Sequence, residues 1–496
     1  MSIFLATGLQ SVGHVQQASV FGHHASRSMA FSVSSPLFFQ QAATSTSTSK
    51  TLVQRNHHLY RKSSISLFST NTTNKMPSSF PYVIVGGGNS AGYAVKTLME
   101  SGVAGSEICM IGSEPVAPYE RPALTKGYLH APGSKVRARL PGFHTCVGGG
   151  GERQTPEWYA EKGVTLRLGS PATKLDAGSK TVTCSDDTIA ADKALYVATG
   201  CNARTFDMYQ GTNVFTIRSE ADCAGLVKAM EGLQGGKLVI IGGGYIGLEV
   251  AAGAMGWSEN LSSLTILNMD NIIMKRVFSD ATGFAEMLQA SVTAPAATPR
   301  AIVENNVQFK SLTRDETGRV TEVVTEEGAF PCDIVVLGLG TVPATEFMPP
   351  ELLEKGFVKV DGTFKFADGC YAFGDCALFP LDGAPTVLEH VANCRASAKH
   401  AVLSSLGKES GNYSLLPFFY SRMFEYTDKP LIWNMWGNKT PGATPHVTKA
   451  ENGISAVWVD GGKVVCACVM MQNPPPTQKQ LDAAKSLIGQ EYTPKL

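Results

Sequence analysis

The chain has 496 residues, 43% of them hydrophobic and 17% charged, too many for one core and consistent with two to four domains. Its zero formal charge hides an asymmetry: residues 1–80 hold six bases and no acid, which leaves 36 bases against 42 acids over 81–496. A mildly acidic globular part argues against nucleic-acid binding, and no apolar run reaches the roughly 18 residues that span a bilayer.

In chain order, residues 1–78 come first, rich in Ser, Thr, Gln and His, with Arg27, Lys50, Arg55, Arg61, Lys62 and Lys75 as the bases. They lack the basic start and compact apolar stretch of a secretory signal. Acid-poor, Ser-rich composition with scattered Arg predicts a transit peptide for a mitochondrion or plastid. "YVIV" (82–85), the turn "GGGNSAG" (86–92) and "AGYAVKTLMESG" predict strand, loop and helix, and "EICMIG" predicts a second strand. "SEPVAPYERPALTKGYL" is too often interrupted by proline for one helix. "GGGG" (148–151) predicts a flexible loop, "PEWYAEKG" a short helix with proline near its start, and "ALYVATG" (194–200) a buried strand ending in a small-residue turn.

The pattern then restarts. "KLVII" (237–241), the turn "GGGYIGLE" (242–249) and "SLTILN" repeat the strand–loop–helix–strand unit, and "DIVVLGLG" (333–340) resembles the strand that ends such a domain. "CYAFGDCA" (370–377) is a short strand running into a Gly-Asp turn. Beyond 411 come aromatics, alternating strands and a final helical "KQLDAAKSLIG". The eleven cysteines are scattered and read as small buried hydrophobes, with Cys466 and Cys468 on one strand face of "KVVCACVMM" and no pair spaced as a redox dithiol. The expected fold is α/β: two Rossmann-like dinucleotide-binding domains, the second inserted in the first, plus a C-terminal α+β domain. The expected boundaries are 79–210 and 336–411 for the first, 211–335 for the second and 412–496 for the last.

The two glycine turns carry the chemistry. Gly242, Gly244 and Gly247 give the full GxGxxG form, and Gly86, Gly88 and Ala91 its permitted variant. Small residues let the backbone approach a pyrophosphate and let the helix N-terminus face the anion. An acid that could accept ribose hydroxyls lies 28 residues past each turn, Glu114 after Gly86 and Asp270 after Gly242. Two dinucleotides in one chain suggest a flavin facing a nicotinamide, since hydride transfer needs a donor and an acceptor. The "ATG" turn at 198–200 and Gly374-Asp375 resemble those of two-dinucleotide flavoprotein reductases.

The segments "APYERPALTKGYL" (117–129), "RLPGFHTCVGGGGERQTPEWYAEKG" (139–163), "LEHVANCRASA" (388–398) and "PFFYSR" (417–422) are more specific. Together they resemble monodehydroascorbate reductases of the organellar type, over about residues 80 to 425. The resemblance implies that NAD(P)H reduces FAD by hydride transfer and that FAD reduces two monodehydroascorbate radicals by one-electron steps. It implies an FAD site of Gly86, Gly88, Ser90, Ala91, Glu114, Arg121, Lys126, Arg218, Asp375 and Val391. The implied nicotinamide site comprises Gly242, Gly244, Tyr245, Ile246, Gly247, Glu249, Asp270, Arg276, Gly340, Glu389 and His390. NADH is expected over NADPH, because Asp270 would repel a 2′-phosphate while Arg276 offsets part of that repulsion.

For the small anionic radical, the resemblance implies Arg395, Tyr420 and Arg422, with no catalytic side chain and no metal. Asn393-Cys394 stands where the family commonly has His-Ala, and the similarity fades after 430. Two other readings remain open at this stage, a reductase of a ferredoxin-like or rubredoxin-like protein and a non-catalytic NADH-sensing flavoprotein.

Overall fold

A computed structural model describes residues 78–133, 137–185, 187–294 and 299–493. The leader expected over 1–78 lies outside them, save Ser78. The first sheet begins with β1 (Ser79–Val85), helix α1 (Asn89–Glu100), β2 (Ile108–Ile111), β3 (Thr165–Arg167) and β4 (Thr188–Val197). β1 sits between β2 and β4, all parallel, with β3 outside β2. Such strands are covered on both faces, so Val83, Ile84 and Val85 form an uninterrupted buried run.

The chain then leaves to build a second parallel sheet from β5 (Gly236–Ile241), α2 (Tyr245–Ala254), β6 (Leu261–Leu267), β7 (Arg300–Glu304) and β8 (Ile334–Leu337). Here β5 is flanked by β6 and β8 as β1 is by β2 and β4. It returns to the first sheet with β9 (Cys370–Ala372), parallel to β4, and then forms helix α3 (Val391–Ser405). The second Rossmann-like unit is thus inserted in the first. In each, the crevice beyond the carboxyl ends of the first strand and its later neighbour is where this topology places ligands.

The helices differ in a way that bears on that crevice. Thr155, Ser219, His390 and Thr477 each cap a helix with a side chain that accepts from the first turn. The N-caps of α1 and α2 are Gly88 and Gly244, which have no side chain to do so. Their first-turn N–H groups are left to face an anion.

After α3 comes an antiparallel sheet: β10 (Phe418–Met423), β11 (Leu431–Gly437), β12 (Thr444–Ala450), β13 (Gly453–Asp460) and β14 (Lys463–Met471), in the order β10-β11-β14-β13-β12. Period-two alternation gives it two apolar faces. Trp433, Trp458, Cys466 and Cys468 share one core with Leu248 and Val250 of α2, so the CxC is packing on a single face. Trp436, Val469 and Met471 meet α4 (Gln478–Ser486) on the other face. All eleven cysteines are free, ten of them buried. Among the elements that went unread in the sequence are the helices Glu220–Glu231 and Gly283–Val292, the hairpin Ala172–Asp176 and Thr181–Cys184, and the meander Phe309–Arg314, Val320–Thr325 and Ala329–Pro331. The meander's register slips twice along its first pair, which obscures its alternation.

The antiparallel sheet is tied to the second unit by Asp280, whose carboxylate accepts from Trp458 Nε1 at 2.7 Å and Lys439 Nζ at 2.6 Å. Trp458→Phe removes one charge-assisted bond while keeping most of the buried ring. It should destabilise by about 1.5–3 kcal/mol. The check is a lower denaturation midpoint at unchanged turnover per folded molecule.

Candidate functional site

The two turns are built alike. Gly86 has φ +133°, and a Cβ there would lie 2.3 Å from the Ala198 carbonyl oxygen of the "ATG" turn. Gly242 has φ +119°, and its Cβ would lie 2.3 Å from Gly338 O. Only glycine permits that approach with that backbone. Gly247 Cβ would fall 2.1 Å from Gly242 O, whereas the first unit accommodates a fully buried Ala91 at the same place.

Around the first turn the expected residues converge. Arg121 lies over it, its Nε and Nη2 each 3.8 Å from a Cβ built on Gly88. The same guanidinium donates to Glu114 Oε1 at 2.5 Å, Tyr119 Oη at 2.9 Å and Arg218 O at 2.6 Å, and Tyr119 donates to Glu114 Oε2 at 2.7 Å. Burial, then Arg121, lowers the Arg218 pKa, and Asp375 opposes both. Ser90 backs directly onto Gly374. Cys394 Sγ lies 3.2 Å from Asp375 Oδ1, and burial followed by that carboxylate pushes the thiol far above its ordinary value. Val391 is the first residue of α3, the helix that carries Cys394. These features suit FAD: a glycine cradle, an uncapped helix N-terminus, cations beside it and an acid at ribose distance along the chain.

Lys126 turns away from this cluster. It ion-pairs with Glu249 of α2, whose carboxylate also accepts from Thr125 Oγ1 and from Ser421 Oγ of β10 at 3.1 Å. Three parts of the chain therefore meet at one buried acid. At the second turn, a Cβ built on Gly244 would meet nothing within 4 Å, which leaves open space above α2 for a ligand. Tyr245 packs on Phe419 and Trp433, with ring centroids 4.6 and 5.7 Å away, while Ile246 is partly buried against the same core. Asp270 is ion-paired with Lys275 at 2.9 Å, and Arg276 is exposed.

Gly340 accepts from Arg204 N, and Glu389 from Thr341 Oγ1 at 2.6 Å. His390 Nδ1 caps α3 by accepting from Ala392 N at 3.2 Å. Its ring centroid lies 5.6 Å from that of Phe419. Burial lowers its pKa, and the capping bond requires Nδ1 to be unprotonated.

The residues expected at the acceptor site are placed apart. Arg395 Nη2 pairs with Glu120 Oε2 at 3.0 Å, and its guanidinium lies 5.4 Å from the centre of the Tyr93 ring. Glu120 is buried and also accepts from Asn89 Nδ2 at 2.9 Å and Tyr93 Oη at 3.2 Å. The tetraglycine loop covers them, since a Cβ at Gly148 would lie 2.7 Å from Arg395 Nη2. Tyr420 is exposed on β10, and Arg422, also exposed, pairs with Glu425. Both leave the strand on the face opposite Phe419 and Ser421. No hydrogen bond or ion pair among the described residues joins either to Arg395. Sequence reasoning passed over Glu120, Thr125, Ser421 and Lys275, although the first three lie inside the motifs "PYERPALTK" and "FFYSR".

Comparison with known proteins matches residues 80–398 to the family described as pyridine nucleotide-disulphide oxidoreductase. The chain is 38% identical over 419 residues to a chloroplastic/mitochondrial monodehydroascorbate reductase of Arabidopsis thaliana, covering 81% of this chain and 80% of that one. It is 39% identical over 400 residues to a chloroplastic monodehydroascorbate reductase of Oryza sativa subsp. japonica, covering 76% and 77%. Among solved structures, putidaredoxin reductase in covalent complex with putidaredoxin is similar with a TM-score of 0.68, over 84% of this chain and 94% of that one. At 24% identity that likeness concerns the fold alone. The chain belongs to the pyridine nucleotide-disulphide oxidoreductase family and, within it, to the monodehydroascorbate reductases.

Proposed function

We propose that the chain passes electrons from NADH, and less readily from NADPH, through FAD to two monodehydroascorbate radicals. The observation that carries this reading is the pair of uncapped glycine turns, one in each Rossmann-like unit, in a chain this close to monodehydroascorbate reductases. FAD at the first turn supplies a hydride acceptor that can release electrons singly.

The chain's own residues bind and orient. The N-terminus of α1 and Arg121 hold the pyrophosphate, while Glu114 accepts from the ribose. α2 offers the same N-terminus to the nicotinamide dinucleotide, and Asp270 accepts from its ribose. Glu249 fixes the Lys126 ammonium at the junction between the two sites. His390 stays neutral on α3, because protonation would break its cap. The free cysteines, ten of them buried, offer no dithiol relay among the described residues.

For the acceptor, Arg395 supplies the remaining donors of its fork. Its charge is matched by Glu120, so a small anion is recognised through hydrogen-bond direction more than through net charge. Arg395→Ala alone would strand the Glu120 carboxylate. The informative variant is therefore Arg395→Ala combined with Glu120→Gln. Its kcat/KM for monodehydroascorbate should fall about ten- to a hundredfold, the worth of one charge-assisted hydrogen bond. Arg395→Lys should lose less. Stopped-flow reduction of the flavin by NADH, and turnover with ferricyanide, should stay near wild type. Equal loss with both acceptors would make Arg395 a structural residue.

The leader composition over 1–78 and the chloroplastic and mitochondrial relatives support an organellar address. Residues 1–78 fused to a reporter should send it to mitochondria or plastids and be cleaved there. A diffuse reporter retaining the whole leader would contradict this.

A further inference from the structure

The two ribose acids occupy equivalent places with unlike neighbours. Glu114 stands three residues past the end of β2, and Asp270 three past the end of β6. Glu114 is locked: its carboxylate accepts from both Arg121 and Tyr119, and the Glu114 and Arg121 side chains are only 20% and 22% exposed. Arg121 is itself held by Arg218 O. Such an arrangement suits a ribose that never carries a phosphate. Among the described residues Asp270 has one ion-pair partner, Lys275, and the two side chains are 40% and 47% exposed.

The backbone around that second pair is fixed even though the side chains are not. Asp270 O accepts from Asn268 Nδ2 at 2.9 Å and from Asn306 N at 3.0 Å. Lys275 follows Met274, a left-handed residue with φ +55° whose N–H donates to Gly243 O at 2.9 Å. The ammonium is thus tied by two residues of chain to the phosphate-cradling turn itself. A solvent-exposed ion pair contributes little and exchanges partners readily. A dianionic phosphate beside Asp270 would compete for the lysine, whose ammonium would offset part of the repulsion between the two anions.

We propose that Lys275 determines the cofactor range of the second site, pairing with Asp270 when the ribose carries a 2′-hydroxyl and turning to a 2′-phosphate when one is present. The site therefore takes NADPH as well as NADH. This rests on the reading of the second glycine turn as the nicotinamide site. Arg276, the adjacent cation, is exposed and has no ion-pair partner among the described residues, so it is the natural comparison.

The test is steady-state kcat/KM for NADH and NADPH at two ionic strengths. Titration of the oxidised holoenzyme with NAD⁺ and NADP⁺ accompanies it, for wild type, Lys275→Ala, Arg276→Ala and Asp270→Asn. Lys275→Ala should raise the preference for NADH roughly five- to twentyfold, because one exposed charge-assisted contact to the phosphate is lost. The wild-type capacity for NADPH should shrink with added salt, and that salt sensitivity should weaken in the variant. Asp270→Asn should narrow the preference. The proposal is overturned if Lys275→Ala weakens both cofactors alike, or if Arg276→Ala alone moves the ratio. If Asp270→Asn and Lys275→Ala both leave the affinity for both dinucleotides unchanged, the second turn is not the nicotinamide site and the functional reading fails with it.

Discussion

A buried carboxylate without partners is among the costliest groups a protein can hold, and Glu249 has partners only because three parts of the chain meet on it. Thr125 and Lys126 come from the irregular segment after β2, and Ser421 from the edge strand of the antiparallel sheet. Glu249 itself rides on α2, the helix seated by the contact of Gly247 with the Gly242 carbonyl. The helix whose N-terminus suits a pyrophosphate thus also carries the acid that registers both neighbouring layers. Sliding any one of them would leave a charge stranded.

The duplicated units show how much of a nucleotide fold is backbone and how little is side chain. Both turns put a positive-φ glycine against a carbonyl of the neighbouring strand's exit, at the same built distance of 2.3 Å. Their third positions already differ, Ala91 against Gly247, and the groups beyond the second strands differ more. The shared part is a cradle suited to a dinucleotide pyrophosphate. In the proposed reading, the divergent part selects which dinucleotide is held and how firmly.

That division also explains what was legible in the residues. Continuous apolar runs and glycine spacing disclose the central parallel strands and both turns, because these depend on local patterns, whereas the outer parallel strands Thr165–Arg167 and Arg300–Glu304 carry no such run. The helix Glu220–Glu231 was readable too, since Ser219 and Asp222 form a capping box, but it lies in a stretch with weak apolar periodicity. Glu120 and Arg395 are 275 positions apart, and no local rule pairs them. Motif resemblance drew attention to Tyr420 and Arg422, while simple alternation puts Phe419 and Ser421 on the inward face. Lys275 and Arg276 are adjacent cations indistinguishable by charge. A left-handed residue, Met274, immediately precedes them, and it is Lys275 that meets Asp270, a choice invisible in composition.

Charge is handled in one way throughout the candidate sites. Glu114 with Arg121, Glu249 with Lys126, Glu120 with Arg395 and Asp270 with Lys275 each match an acid to a base where an anionic ligand would arrive. Neutral pairs avoid the desolvation cost of isolated charges and prevent an anionic product from being held as tightly as a fixed net positive charge would hold it. They leave selection to the direction of the remaining donors and to how easily each pair opens. Three of the four have a partly or fully buried acid and further hydrogen bonds, so they act as fixed frames. The fourth, Asp270 with Lys275, faces solvent with side chains 40% and 47% exposed, so it opens at little cost and, with the nicotinamide dinucleotide at the second turn as proposed, suits a ligand that comes and goes with every turnover.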